Sequence, residues 1–386
     1  MDPDAVVRTR LVSQQLRSPV AASVEDALQN LLAVQSQEYP YARWSLAQRT
    51  AGATANDVDQ AVAEGRILRT HILRPTWHFV HRTDLSWLRA LSAPRLHRAN
   101  AITYSRTGID AVTAARSTDV LAAALEGGRQ LTRDQLAGEL ELAGFSVKGL
   151  VLAYLIMHAE IDGVIVSGAP VRSAAGALRQ TYAAFGERVG PASADPLSRE
   201  ESLAALARRY FRSRGPATVR DCAAWSGMTV TDVRLGVALA LEDDPAALER
   251  EEIDGVAFYF NPESSRPFGQ DSSARPDSST SGGAGSGGRV DLIQCYDEYV
   301  MGYSASRSYL GGKAPTFPRH GDPLHVVLLD GRMAGAWRHR LIRPGSPGQR
   351  CELDIRMRHD RTPTGALEQA AKRYEEFLGM PTSYSD

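Results

Sequence analysis

Residues 215–242 read GPATVRDCAAWSGMTVTDVRLGVALALE, and residues 249–261 follow as EREEIDGVAFYFN. Thr218 stands before a short run that reaches Trp225, Ser226-Gly227 interrupts it, and Thr229 opens a second run to Glu242. A threonine before a helical pattern offers its oxygen to the free N–H groups of the first turn, and glycine past the end tolerates the left-handed backbone of a helix stop. Two short helices about a tight turn, followed by the β-rich run VAFYFN, have the order of a helix-turn-helix with a wing. The stretch therefore predicts a winged helix.

Outward from it, SREESLAALARRYFRSRG at 198–215 predicts a leading helix in which Ser198 and Glu201 form a capping box. The same unit recurs upstream. Ser23 caps VEDALQNLLAVQ, whose apolar residues 24, 27, 28, 31 and 32 follow helical period, and a second helix runs from Thr54 to about Gly65. ILRTHIL and TWHFVH then form a hairpin about Arg74-Pro75. Another copy begins at Thr132 with RDQLAGELELAGF, closes near Gly144, and continues through VKGLVLAYLIMHAEIDG to the strand GVIVSG. Recurrence of one supersecondary unit implies tandem modules.

Ser264 to Arg289 is a different kind of sequence, with Ser, Gly and Pro at 16 of 26 positions, and predicts a disordered linker. Beyond it, VDLIQCYDEYVMGY reads as strand and turn, HVVLLDGRMAGAWRHRLI as a hairpin about Asp330-Gly331, CELDIRMR as a strand and ALEQAAKRYEEFLG as an amphipathic helix. The expected architecture is α+β, with about three winged helices and a small β-rich domain under a covering helix. Its expected boundaries are 1–107, 108–190 and 191–263 for the winged helices, 264–289 for the linker and 290–386 for the β-rich domain.

A chain of 386 residues suits several domains, and 43% hydrophobic with 23% charged residues is ordinary for a globular protein. Three scattered cysteines without a C-x-x-C pair argue against a disulfide framework or thiolate zinc site. The N-terminus has no apolar signal core, and no apolar run nears the roughly 20 residues that span a bilayer. A cytoplasmic protein without a membrane association is expected. Net charge is only −1, yet eight arginines stand between Arg66 and Arg106 against one acid, Asp84. Further arginines cluster at 208–220 and 338–343. Guanidinium forks match phosphate oxygens, so the clustering favours a nucleic-acid partner, although arginine-rich codon usage accounts for part of it.

His78 and His81 lie three apart in an expected strand and point to opposite faces, so no metal site is expected there. No phosphate-binding loop or nucleophile elbow is present. The unusual feature is the polar tract Gln35-Ser36-Gln37-Glu38-Tyr39-Pro40, where Pro40 should draw the chain out of the helix near Gln35 to Gln37. In extended backbone Gln35 and Gln37 share a face. Capping a helix end is the plainer use of two such glutamines; the sharper one is to hold a water through the carboxamide oxygen.

The stretches LLAVQSQEYPYARWSLAQR, ILRTHILRPTWHFVHRTDLSWL, ARRYFRSRGPATVRDCAAWSG, CYDEYVMGY and DGRMAGAWR together resemble the AlkZ/YcaQ-type bacterial alkylpurine DNA glycosylases, in that family's order. The resemblance implies a monofunctional, cofactor-free glycosylase of tandem winged helices. Its substrate would be double-stranded DNA carrying N7- or N3-alkylated purines, including bulky genotoxin adducts and interstrand crosslinks met in self-resistance. The family's Gln-x-Gln pair falls on Gln35 and Gln37, with Ser36 where an aliphatic residue is usual. His78 and Asp297 are candidate supports of the active site, Asp297 and its neighbour Glu298 being read by preference as structural. Arg69, Arg74, Trp77, Arg82, Arg338 and Arg340 are candidate DNA contacts, Trp77 being equally a core aromatic or a wedge. A monomer without an obligate protein partner is expected. The competing readings are a non-catalytic winged-helix regulator and a protein-interaction scaffold. The helix after Thr229 offers mainly Arg234 for base readout and is otherwise largely apolar, which disfavours the regulator.

Overall fold

The computed structural model describes residues 1–18, 20–173, 178–190, 196–265, 288–311, 325–346, 348–358 and 364–385. Most of the expected linker, 266–287, lies outside them. The first module comprises α1 (Pro3–Ser13), α2 (Val24–Leu31), β1 (Ala33–Gln35), α3 (Tyr39–Ala47), α4 (Ala55–Ala63), β2 (Ile67–His71), β3 (Trp77–His81) and α5 (Arg82–Thr107). Thr54 and Asp57 close a capping box at α4, and the three strands form a sheet in the order β1-β3-β2 with antiparallel pairing throughout. The chain leaves α2 at Leu31, earlier than the proline predicts, because residues 33–35 are taken up as a strand against β3.

The second module holds α6 (Ala111–Leu125), β4 (Leu131–Thr132), α7 (Arg133–Leu142), α8 (Leu150–Ile161), β5 (Ile165–Ser167), β6 (Val171–Arg172), β7 (Leu178–Arg179), β8 (Thr181–Ala184) and α9 (Phe185–Val189). It packs about a core of its own that includes Leu121, Leu136, Leu155 and Ile165. The third module is the winged helix that the sequence describes: α10 (Arg199–Arg214), α11 (Val219–Ser226), α12 (Val230–Asp243) and the hairpin β9 (Glu249–Ile253) to β10 (Val256–Phe260). Capping boxes stand at Ser198, Thr218 and Thr229, and Gly227 closes α11 in left-handed conformation.

After the linker come β11 (Val290–Ile293), α13 (Glu298–Met301), β12 (His325–Leu329), β13 (Arg332–Ile342), β14 (Arg350–Met357), α14 (Thr364–Leu378) and β15 (Thr382–Ser385). The five strands make one sheet in chain order, antiparallel until β15 adds in parallel to β14. Asp330 and Gly331 both have positive φ, 49° and 80°, and turn β12 into β13. Helix α14 covers the sheet through Leu367, Ala370, Tyr374 and Phe377. One core is shared by Leu32 and Val80 of the first module, Tyr210 and Trp225 of the third, and Ile293 and Tyr299 of the C-terminal segment. These parts fold on one another, which fixes the geometry at their junction. No helix among the described residues is long and apolar enough to cross a membrane.

Candidate active site at the end of the first sheet

Gln35 is the last residue of β1 and lies opposite His78 on β3, so their side chains share a face of the sheet. Leu32 delivers the strand through a left-handed kink, φ 66°, with its side chain fully buried. The Gln35 N–H donates to Glu298 Oε1 at 2.8 Å, which pins the backbone from below. Its carboxamide oxygen accepts from Arg74 Nη2 at 2.7 Å, while Arg74 Nη1 donates to the Trp225 carbonyl at 2.7 Å. Gln35 is buried and Gln37 is exposed, so the pair places one amide inside and one at the surface.

His78 completes this cluster. Its Nδ1 lies 2.9 Å from the Thr76 carbonyl, which can only accept, so Nδ1 carries the hydrogen and Nε2 presents a lone pair 3.5 Å from Arg74 Nη2. Burial, and then the positive charge of Arg74, hold the imidazole well below its usual pKa. His78 is a neutral acceptor beside Arg74.

The tract remains extended through Ser36, whose N–H donates to the Trp77 carbonyl at 2.7 Å. Beneath it, Arg69 donates to the Ser36 carbonyl from Nε at 3.0 Å and Nη2 at 2.8 Å, and reaches the Gln37 carbonyl at 3.3 Å. Arg69 also bonds Gln180 of the second module and stacks 4.3 Å from the centre of the Trp77 ring. Burial lowers its pKa to about 10, which leaves it charged at neutral pH. Of the arginines expected at phosphate, Arg69 and Arg74 direct their guanidinium donors inward, to the Ser36, Gln37 and Trp225 carbonyls and to the Gln35 amide. Trp77 is half-buried between Arg69 and His71, whose ring lies 4.9 Å away, so it packs within the sheet.

Arg82 begins α5 and is exposed. Arg338 and Arg340 project from β13 into ion pairs with Asp354 at 3.0 Å and Glu352 at 2.7 Å. Such exposed pairs are worth at most about 1 kcal/mol and are screened by salt, so phosphate can compete for these guanidinia. The basic block divides in the same way: Arg89 and Arg95 donate to the Ile161 and Gly227 carbonyls, whereas Arg82, Arg98 and Arg106 stand exposed on α5.

Asp297 and Glu298 are both fully buried and serve different neighbours. Asp297 caps α13 and pairs with buried Arg49 of the first module at 2.6 Å, with Ser45 Oγ donating to it at 2.5 Å. Glu298 pairs with buried Arg214 of α10 at 2.6 Å and accepts from the Trp225 indole at 2.5 Å as well as from Gln35. Asp297 is thus tied to Arg49, Ser45 and the start of α13, and Glu298 is the acid that meets the glutamine tract. The sequence offered no pairing of Arg49 or Arg214 with this motif, since each bond spans a large separation along the chain.

Among the described residues, His97, His158 and Asp162 can present metal-type ligand atoms within 4.8 Å of one another. His97 Nε2 is 2.8 Å from Asp162, His158 Nδ1 lies 3.1 Å from the same carboxylate, and the Tyr104 hydroxyl is 3.3 Å from His97 Nδ1. The group joins α5 to the end of α8 and is separate from the Gln35 cluster.

Comparison by sequence with curated proteins returns no match. Among solved structures the fold is similar to Streptomyces sahachiroi DNA glycosylase AlkZ, with a TM-score of 0.71 over 99% of each chain at 20% identity. The family model described as "DNA glycosylase AlkZ-like" matches residues 28–377, which include the glutamine tract, most of the first module, the second and third modules and most of the C-terminal sheet. This chain belongs to the AlkZ-like DNA glycosylase family.

Proposed function

We propose that the protein hydrolyses the N-glycosidic bond of N7- or N3-alkylated purines in double-stranded DNA with a water held by Gln35 and Gln37. The observation that carries this reading is the buried Gln35 carboxamide at a strand end beside a neutral histidine. The adjoining carboxylates, Asp297 and Glu298, are both committed to buried arginines and are not free as an acid or base. That arrangement suits a leaving group needing no protonation. An alkylated purine carries a formal positive charge and departs neutral as the C1′–N bond breaks. Water forms the C1′–O bond and releases its proton to solvent, leaving an abasic site. Carboxamide oxygens held against the oxocarbenium-like sugar stabilise its developing charge.

The absence of an amine nucleophile from this reading means no Schiff base and no strand cleavage. Exposed Arg82, Arg98 and Arg106, with Arg338 and Arg340, supply phosphate contacts. Bulky natural-product adducts and interstrand crosslinks are included in the proposed substrate range, with the protein acting as a cytoplasmic monomer. The test is incubation with duplex DNA containing one N7-alkylguanine, then alkali cleavage and a gel. Wild type should yield the cleavage band. Q35A and Q37A should each lose about 100-fold or more in single-turnover rate, with DNA affinity held within about threefold. Full turnover in the double variant overturns the site.

A further inference from the structure

We infer that Arg74 is a positioning residue that sets the Gln35 carboxamide against the third winged helix. The inference rests on the proposed role of Gln35. Arg74 is the only described side chain bonded to the Gln35 oxygen, and its second nitrogen holds the Trp225 carbonyl. A planar fork gripping two acceptors 2.7 Å away on each arm fixes both the distance and the face of the amide. An amide oxygen has two lone pairs, so one remains for water, and the amide cannot flip without breaking a charge-assisted hydrogen bond.

The anchor end is built as tightly as the amide end. Trp225 also donates its indole N–H to Glu298, the residue that holds the Gln35 N–H. Main chain and side chain of Gln35 are thus referenced to one residue of α11 by separate routes. Arg74 itself follows Leu73, a buried leucine at φ 61°, and its N–H closes onto the Ile72 carbonyl at 2.6 Å, a tight three-residue turn that L side chains adopt only under strain. Gly227 presses on this turn, since a Cβ there would lie 2.5 Å from the Leu73 carbonyl oxygen. Arg95 Nε in turn holds the Gly227 carbonyl at 2.5 Å. The helix-turn-helix corner of the third module is packed as a stop behind the hairpin turn that carries Arg74.

A residue that acts through Gln35 has a distinct kinetic signature. Single-turnover excision of N7-methylguanine and DNA affinity are measured for wild type, R74A, R74K, Q35A and R74A/Q35A in the full chain. R74A should lose about 10- to 100-fold in rate with affinity within about threefold, and R74K, which keeps the charge but not the fork, should recover part of it. In the Q35A background R74A should cost no further rate, because the interaction it serves is already gone. G227A, whose added Cβ would press on the Leu73 carbonyl behind Arg74, should reproduce the rate loss. An R74A enzyme with wild-type rate, a faster one, or one that loses only affinity together with salt dependence overturns the inference while leaving Gln35 catalytic. Losses that add in the double variant overturn it too. Wild-type turnover by Q35A overturns the proposed function and this inference together, so the failures are distinguishable.

Discussion

Ser36 sits between two glutamines, fully buried, with a hydroxyl that finds no partner among the described residues. Its backbone is fully used, the N–H by Trp77 and the carbonyl by Arg69, so the side chain alone is misfit to its surroundings. An aliphatic residue at this position would suit the same buried slot. Removing an unsatisfied buried hydroxyl recovers its desolvation cost, so S36A should be more stable than wild type by about 1 kcal/mol with excision unchanged. Urea denaturation beside the alkali-cleavage assay checks both halves. The neighbouring chemistry carries its own expectation. Amides do not titrate, His78 is held neutral by burial and Arg74, and single-turnover rate should therefore be flat between about pH 6 and 8.5. A limb within that range would reveal an acid or base that the cluster does not contain.

Individual elements are decided by local chemistry to very different degrees. The Thr218 cap, the Ser198/Glu201 capping box and the Asp330-Gly331 turn involve residues within a few positions of each other and are legible in the sequence. Helix α1 is not, because its buried residues include Thr9, Arg10 and Ser13, which present no apolar stripe. Arg10 donates to Pro216 and Ser306 and stacks over Tyr303, all far along the chain. The basic block is the harder lesson. Its later part lies on α5, yet its members Arg69 and Arg74 are consumed by carbonyls and an amide that only the folded chain supplies. Gln35 was legible as a candidate from its tract, but the acid beneath its N–H was not, since Glu298 lies 263 residues away.

Asp221 shows how a local cap becomes a long-range one. Its Oδ2 accepts from Thr218, while its Oδ1 receives the N–H groups of Ser304, Ala305 and Ser306 at 2.9, 2.7 and 3.0 Å. A buried carboxylate answered by backbone donors leaves those donors bare when removed. D221A should cost about 3 kcal/mol or more in urea denaturation, well beyond the roughly 1 kcal/mol of an exposed cap. A loss of 1 kcal/mol or less would mean that solvent reaches the 304–306 backbone.

At the scale of the molecule, the junction between the first module and the C-terminal sheet sets acid stability. Tyr41 of α3 lies 3.7 Å from the ring centre of His325 and 4.4 Å from that of His339. His325 Nδ1 accepts the Cys295 N–H, which requires a bare nitrogen, and His339 Nδ1 contacts the Tyr374 hydroxyl at 2.6 Å. Burial, then the charge of His339, lowers His325 to about 3; burial, then Arg43, lowers His339 to about 4. Below an unfolded value near 6.5, the unfolded chain takes up protons that the folded one refuses, so stability falls as pH falls towards those folded values. Between pH 7 and 5 each imidazole should remove up to about 2 kcal/mol. Denaturant midpoints measured across that window should fall, and H339Q should flatten the fall; a pH-independent midpoint would contradict neutral packing at this interface.

Asp297 and Glu298 join two covalently adjacent carboxylates to arginines of different modules. A polypeptide that ends before residue 288 would leave Arg49 and Arg214 as buried cations with no counter-charge. Each half of the chain is therefore an incomplete electrolyte, and each carries what the other lacks. Severed between residues 265 and 288 and produced as two pieces, the protein should behave as a split enzyme, in which association of the C-terminal piece restores both the fold and the seat of Gln35.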